Sequence, residues 1–151
     1  MFANAYTIAS QYTFPALISS RFFDGSIESG IGSFVIINEE GWIATAAHVI
    51  NGLQVSQQHA ALIQQYQSSI TSIEPNPKWM TNHSIWFGAD KHIINTFHIL
   101  PDNDLAIGKI ENFDPGFVHQ YPIFKNPSQV IPGRSLCKLG YPFYDVKAGF
   151  I

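Results

Sequence analysis

Six short runs of β-branched and aromatic residues, separated by turn signals, constrain this chain more than anything else in it. They are Phe14–Ser20, Ser33–Ile37, Trp42–Thr45, Ser84–Gly88, His92–Ile99 and Leu105–Ile110. Asp24-Gly25 and Asn38-Glu39-Glu40-Gly41 are turn material between the first three. Short strands at this spacing point to an all-β barrel or sandwich. One segment departs from the pattern. From Leu53 to Ile70 the chain is rich in Gln and Ala and lacks Gly and Pro, and Val55, His59, Leu62, Tyr66 and Ile70 recur at helical spacing. The spacing predicts a helix of about four turns, closed off by Glu74-Pro75-Asn76-Pro77.

At 151 residues the chain is long enough for one domain with a real core. Charged residues make up only 13% of it, about half the usual share. A net charge of -3 provides no basic footprint, which argues against nucleic acid as a partner. No apolar run is long enough for a helical membrane span. The N-terminus does not read as a signal peptide, since Arg21 is its first basic residue and Asn4 and Gln11 interrupt any apolar stretch. Cys137 is the single cysteine, so the fold rests on packing without an internal disulfide. That suits a reducing, cytoplasmic setting.

Chemistry concentrates in two stretches. Gly41-Trp42-Ile43-Ala44-Thr45-Ala46-Ala47-His48-Val49-Ile50 sets a histidine after two small residues at the end of an apolar strand. Asp104-Leu105-Ala106-Ile107-Gly108-Lys109-Ile110 sets a carboxylate at the start of another. An imidazole titrates near neutrality, so His48 can take a proton from a hydroxyl and return it to a leaving group. A carboxylate on its other ring nitrogen holds the tautomer and stabilises the imidazolium. Asp102 and Asp104 both precede the last strand.

Together these stretches resemble the chymotrypsin/trypsin-like serine peptidases, nearer their disulfide-free bacterial members. The resemblance covers Gly30 to Pro142. It selects Asp104 over Asp102, because the family places the acid directly before Leu-Ala. The separation from His48 is longer than the family often shows, and the expected helix accounts for the excess.

What the resemblance implies is a six-stranded Greek-key barrel, the first of the trypsin-like fold, over residues 1–111, with an inserted helix. Residues 112–132 become the linker between barrels. Residues 133–151 become the start of a second barrel, with Ser135–Pro142 as its first strand and Gly140-Tyr141-Pro142 as a matching motif. Gly30, Gly32 and Ser33 read as a turn leading into the second run. The activity implied is hydrolysis of a polypeptide substrate through an acyl-enzyme, without metal or cofactor.

The nucleophile is missing from the pattern. No Gly-x-Ser-Gly-Gly occurs in the 151 residues. Ser26 and Ser33 follow glycines but lack the turn that would also form an oxyanion hole. Cys137 lies in Leu-Cys-Lys-Leu, which reads as a buried, inert strand cysteine. His59, His83, His92, His98 and His119 show no zinc-like spacing. The expectation is an isolated chain inactive on peptides, pairing as a homodimer through its incomplete second-barrel segment. A trypsin-like scaffold that has lost catalysis and serves as a protein-binding module is the alternative.

Overall fold

The computed structural model describes residues 3–68, 73–87 and 94–141. Helix α1 (Ala3–Ala9) precedes strands β1 (Thr13–Phe22), β2 (Ile27–Ile36) and β3 (Trp42–Ala46). Helix α2 (Ala47–Ser68) follows, then β4 (Met80–Phe87), β5 (Ile94–Leu100) and β6 (Leu105–Ile110). All six strands join one antiparallel sheet in the order β4-β1-β2-β3-β6-β5. The sheet curls into a half-barrel.

Local chemistry fixes the first two hairpins. Between β1 and β2, Gly25 takes φ +83° and the Ser26 N–H donates to Asp24 Oδ1 at 2.8 Å. Between β2 and β3, Asn38 Oδ1 accepts from the Glu40 and Trp42 N–H groups at 3.1 and 3.3 Å. Gly41 closes that turn at φ +84°, and Phe113 packs where its side chain would have been.

The core lies against one face of the sheet. Ile43 and Thr45 of β3 are buried, opposite Gly108 and Ala106 of β6 in the ladder. This alternation is that of a sheet with one apolar face inward. Phe34 and Ile36 of β2, Ile110 of β6, Val49 and Ile50 of α2, and Val118 beyond the sheet complete the cluster.

Several boundaries move relative to the sequence reading. β2 begins at Ile27, so Gly30, Gly32 and Ser33 lie inside a strand and not in a turn before one. Gly32 is needed for packing: a Cβ there would come within 2.8 Å of Val49 Cγ2 on α2. The predicted helix exists but starts at Ala47, directly at the end of β3. Its expected end at Ile70 lies outside the described residues, as do Gly88 and His92. Helix α1 had no signal in the apolar pattern, and none of its residues is buried.

The expected seventh strand is corrected. Residues 135–141 form no strand, and Pro142 with the rest of that segment lies outside the described residues. A strand exists by pairing, and among the described residues none pairs with this one. Leu136 is 77% exposed and Cys137 is also exposed, against the reading of a buried strand cysteine. The segment is tied back at Tyr141, whose hydroxyl donates to the Thr13 carbonyl at 3.0 Å.

Gly52 supports a first expectation. Within a helix Gly→Ala ordinarily gains about 1 kcal/mol. A Cβ on Gly52 would instead overlap the His83 imidazole of β4. Overpacking of this kind costs about 1–3 kcal/mol. Gly52→Ala is therefore expected to lower the thermal midpoint, and Gly52→Ala in a His83→Ala background to lower it less. Circular dichroism melts of the three variants check the sign.

Candidate active site

The site forms where β3 ends and β6 begins. Antiparallel pairing sets Ala46 opposite Leu105, so the next residues outward are Ala47 and Asp104. Pro101–Asn103 form a 3-10 turn that delivers the chain to Asp104. Asp104 then adopts φ 48°, ψ 42°, and its N–H donates to the Pro101 carbonyl at 3.1 Å. This left-handed conformation is one that Asp and Asn tolerate better than most side chains.

From that position Asp104 meets the start of α2 with three groups. Its carbonyl accepts the Ala47 N–H at 3.0 Å. Its Oδ1 accepts the His48 N–H at 2.9 Å. Its Oδ2 lies 2.6 Å from His48 Nδ1. The first N–H groups of a helix lack partners within the helix, and its N-terminus carries partial positive charge. Asp104 therefore caps α2 from a distant strand while holding the ring of the second helical residue. The cap explains why α2 begins at Ala47 although Ala46 stands directly before it and the Thr45 hydroxyl is engaged with the Ser33 carbonyl.

The electrostatics follow. The carboxyl of Asp104 is held below its usual range, first by the His48 N–H, then by the bond to the His48 ring and the imidazole's charge, with a further small contribution from the Ala47 N–H. Modest desolvation opposes these. At neutral pH the group is a carboxylate, and the Nδ1 contact is then Nδ1–H donating to Oδ2. That leaves Nε2 as the ring's free lone pair.

The two sequence-predicted residues are thus brought together. Asp102 lies in the exposed turn, and it is Asp104 that bonds the His48 ring. The site is open: the side chains of His48 and Asp104 are 69% and 55% exposed. Among the described residues, Asp104 is the partner of the His48 ring, through Nδ1. Ser33 uses its carbonyl to accept from Thr45 Oγ1 at 2.8 Å, an interaction within the sheet. Among the described residues no three His, Cys, Asp or Glu side chains are grouped to hold a metal ion.

Two other histidines have structural partners that the linear pattern did not identify. His59 Nδ1 accepts the Met80 N–H at 2.9 Å, and His83 Nδ1 lies 2.8 Å from Ser20 Oγ. The helical spacing placed His59 on the inward face but could not name its acceptor role.

No family model, curated protein or solved structure matches this chain.

Proposed function

We propose that this chain is the base-bearing half of a trypsin-like serine endopeptidase, which hydrolyses peptide bonds through an acyl-enzyme. The observation that carries the reading is the 2.6 Å contact between His48 Nδ1 and Asp104 Oδ2, formed by two residues selected beforehand from their motifs. The ladder order β4-β1-β2-β3-β6-β5 adds support, since joining β4 to β5 would close the six strands into the barrel this reading expects.

On this reading His48 Nε2 takes the proton of a serine hydroxyl as that oxygen attacks the scissile carbonyl. The imidazolium so formed carries a proton on each nitrogen. Asp104 accepts one hydrogen bond and offsets the positive charge without itself being protonated. The ring then protonates the leaving amine, and the cycle repeats with water in deacylation. The nucleophile, the oxyanion donors and the specificity pocket come from polypeptide outside these 151 residues. The exposed apolar run of Ile123, Phe124, Val130, Ile131 and Leu136 is the seat for that second half.

The open site, with no nucleophile motif in the chain, also fits a scaffold that binds protein without cleaving it. A fluorophosphonate probe separates the two readings, because it labels a serine only where a general base activates it. The isolated chain is expected to stay unlabelled and to leave peptides intact. The same chain in its native assembly is expected to yield a labelled serine, with labelling lost on His48→Ala. Absence of label from the native assembly with His48 intact would favour the scaffold. Light scattering on the isolated chain reports whether a second copy occupies the apolar seat.

A further inference from the structure

Two imidazoles join α2 to β4. From the helix, His59 Nδ1 accepts the backbone N–H of Met80. From the strand, the His83 ring lies against Gly52, where even a methyl group would overlap it. His83 Nδ1 is bonded to Ser20 Oγ of β1, and its Nε2 is buried with no partner among the described residues.

The His59 contact requires a neutral Nδ1. A nitrogen that accepts an N–H carries no proton of its own, so protonating His59 at Nδ1 removes the acceptor of Met80. Protonating His83 gives each of its nitrogens an N–H and adds a positive charge. The added charge would sit beside a buried Nε2 that has no partner among the described residues, and burying a charge without a partner is costly.

The surrounding elements offer that charge no relief. α2 and β4 contain no Asp, Glu, Lys or Arg. β1 contributes only Arg21, which is exposed, one register position from the Ser20–His83 pair. The groups facing His83 are Ser20 from β1 and Gly52 from α2, and the titratable side chains of the helix are His48, His59 and Tyr66.

His48 lies one helical turn before Gly52, on the same face of α2. The Gly52–β4 contact adds to the hold that Val49, Ile50 and the Asp104 cap have on the first turn, and with it on the ring that Asp104 orients. We propose that His59 and His83 form a proton-sensitive clasp: neutral, they seat α2 on β4 and fix His48; protonated, they release the helix and loosen the His48–Asp104 pair. Its meaning as regulation of hydrolysis rests on reading His48 as the general base; the clasp itself does not.

The direction of the pH effect follows from burial, which pushes the His83 imidazole below its usual value of 6.5. The unfolded chain then binds the proton more readily than the folded one. His83 supports the fold above that usual value. The support is lost as pH falls below it, toward the lower folded value.

The test is an amide and imidazole nitrogen NMR titration of the whole chain from about pH 7.5 to about pH 5. The Met80 and Gly52 amides are expected to shift together. Hydrogen exchange at the His48 amide, corrected for its intrinsic pH dependence, is expected to rise at least about tenfold, or roughly 1.4 kcal/mol. His59→Gln keeps an oxygen acceptor for Met80 and His83→Gln removes the buried titrating ring, so either variant is expected to narrow the transition and the pair to abolish it. His48→Gln serves as the site control: the shifts at Met80 and Gly52 persist in it if the clasp drives them.

Unchanged Met80 and Gly52 resonances in the wild-type chain overturn the proposal. So does a transition that survives in the His59→Gln, His83→Gln pair or vanishes in His48→Gln. Should His83→Gln fail to fold, the wild-type imidazole signals decide. His83 taking up its proton without movement at Met80 and Gly52 rules the clasp out. None of these readouts uses peptide hydrolysis, so an inactive assembly would refute the peptidase reading and leave the clasp standing.

Discussion

If His48 is the general base proposed, Asp104→Asn in the native assembly is expected to lower kcat for peptide hydrolysis by about 10⁴-fold while leaving the fold in place. The amide keeps an oxygen, which can still accept the His48 N–H that Asp104 Oδ1 accepts at 2.9 Å. Asn also tolerates the left-handed backbone found at position 104. The cap of α2 is therefore retained. The change falls on the ring, because an amide N–H2 facing Nδ1 forces that nitrogen to become the acceptor. The proton moves to Nε2, where it blocks acceptance from a serine. Asp104→Ala removes the cap as well, and is expected to reduce both hydrolysis and the helical circular dichroism signal. Thermal melts and kcat measured on both variants separate the two roles. An Asp104→Asn enzyme within tenfold of wild type would show that His48 works without this carboxylate, or does not work as a base.

Phe34→Ala is expected to have the largest effect on stability. Phe34 is 1% exposed, and its ring centroid lies 5.7 Å from that of Phe14 on β1. It also stands opposite Thr45 of β3, three residues before His48. Truncating a core phenylalanine costs about 3–5 kcal/mol, against a total of about 5–15 kcal/mol for a domain. For a chain of this size the thermal midpoint is expected to fall by roughly 6–20 °C. Differential scanning calorimetry measures this directly. A fall of only a degree or two would mean that β2 is not packed over the core as described.

The strands were legible because each buries one face, and one-sided burial leaves a mark in β-branched and aromatic runs. Trp42–Ala46 and Leu105–Ile110 show this most clearly, with burial alternating along both. The His48–Asp104 pair was legible because two motifs flank the same pair of strand ends. What escaped depended on partners distant in sequence. The start of α2 at Ala47, ahead of the expected Leu53, carried no local signal, since its cap is a carboxylate 56 residues away. The glycines before Phe34 looked like a turn, whereas Gly32 is a place where Val49 of the helix needs room. The run around Leu136 looked like a strand because its composition suits one, but composition supplies no neighbour to pair with. His59 fell on the helical face that the spacing marks, but neither its partner nor that of His83 could be read, because these are a backbone amide and a serine on other elements.

Asp104 binds the amide of His48 as well as its ring, and this bears on how related sequences diverge. On the peptidase reading, a lineage that gave up hydrolysis would lose the selection that keeps an imidazole at position 48, and almost any side chain could stand there on the exposed first turn. Position 104 would stay under restraint, because the helix start still needs its oxygen and the backbone still disfavours most side chains. Among descendants, a retained acid beside a replaced histidine would mark lost activity. Co-occurrence of the two, and not persistence of the acid, is the signature of a working site.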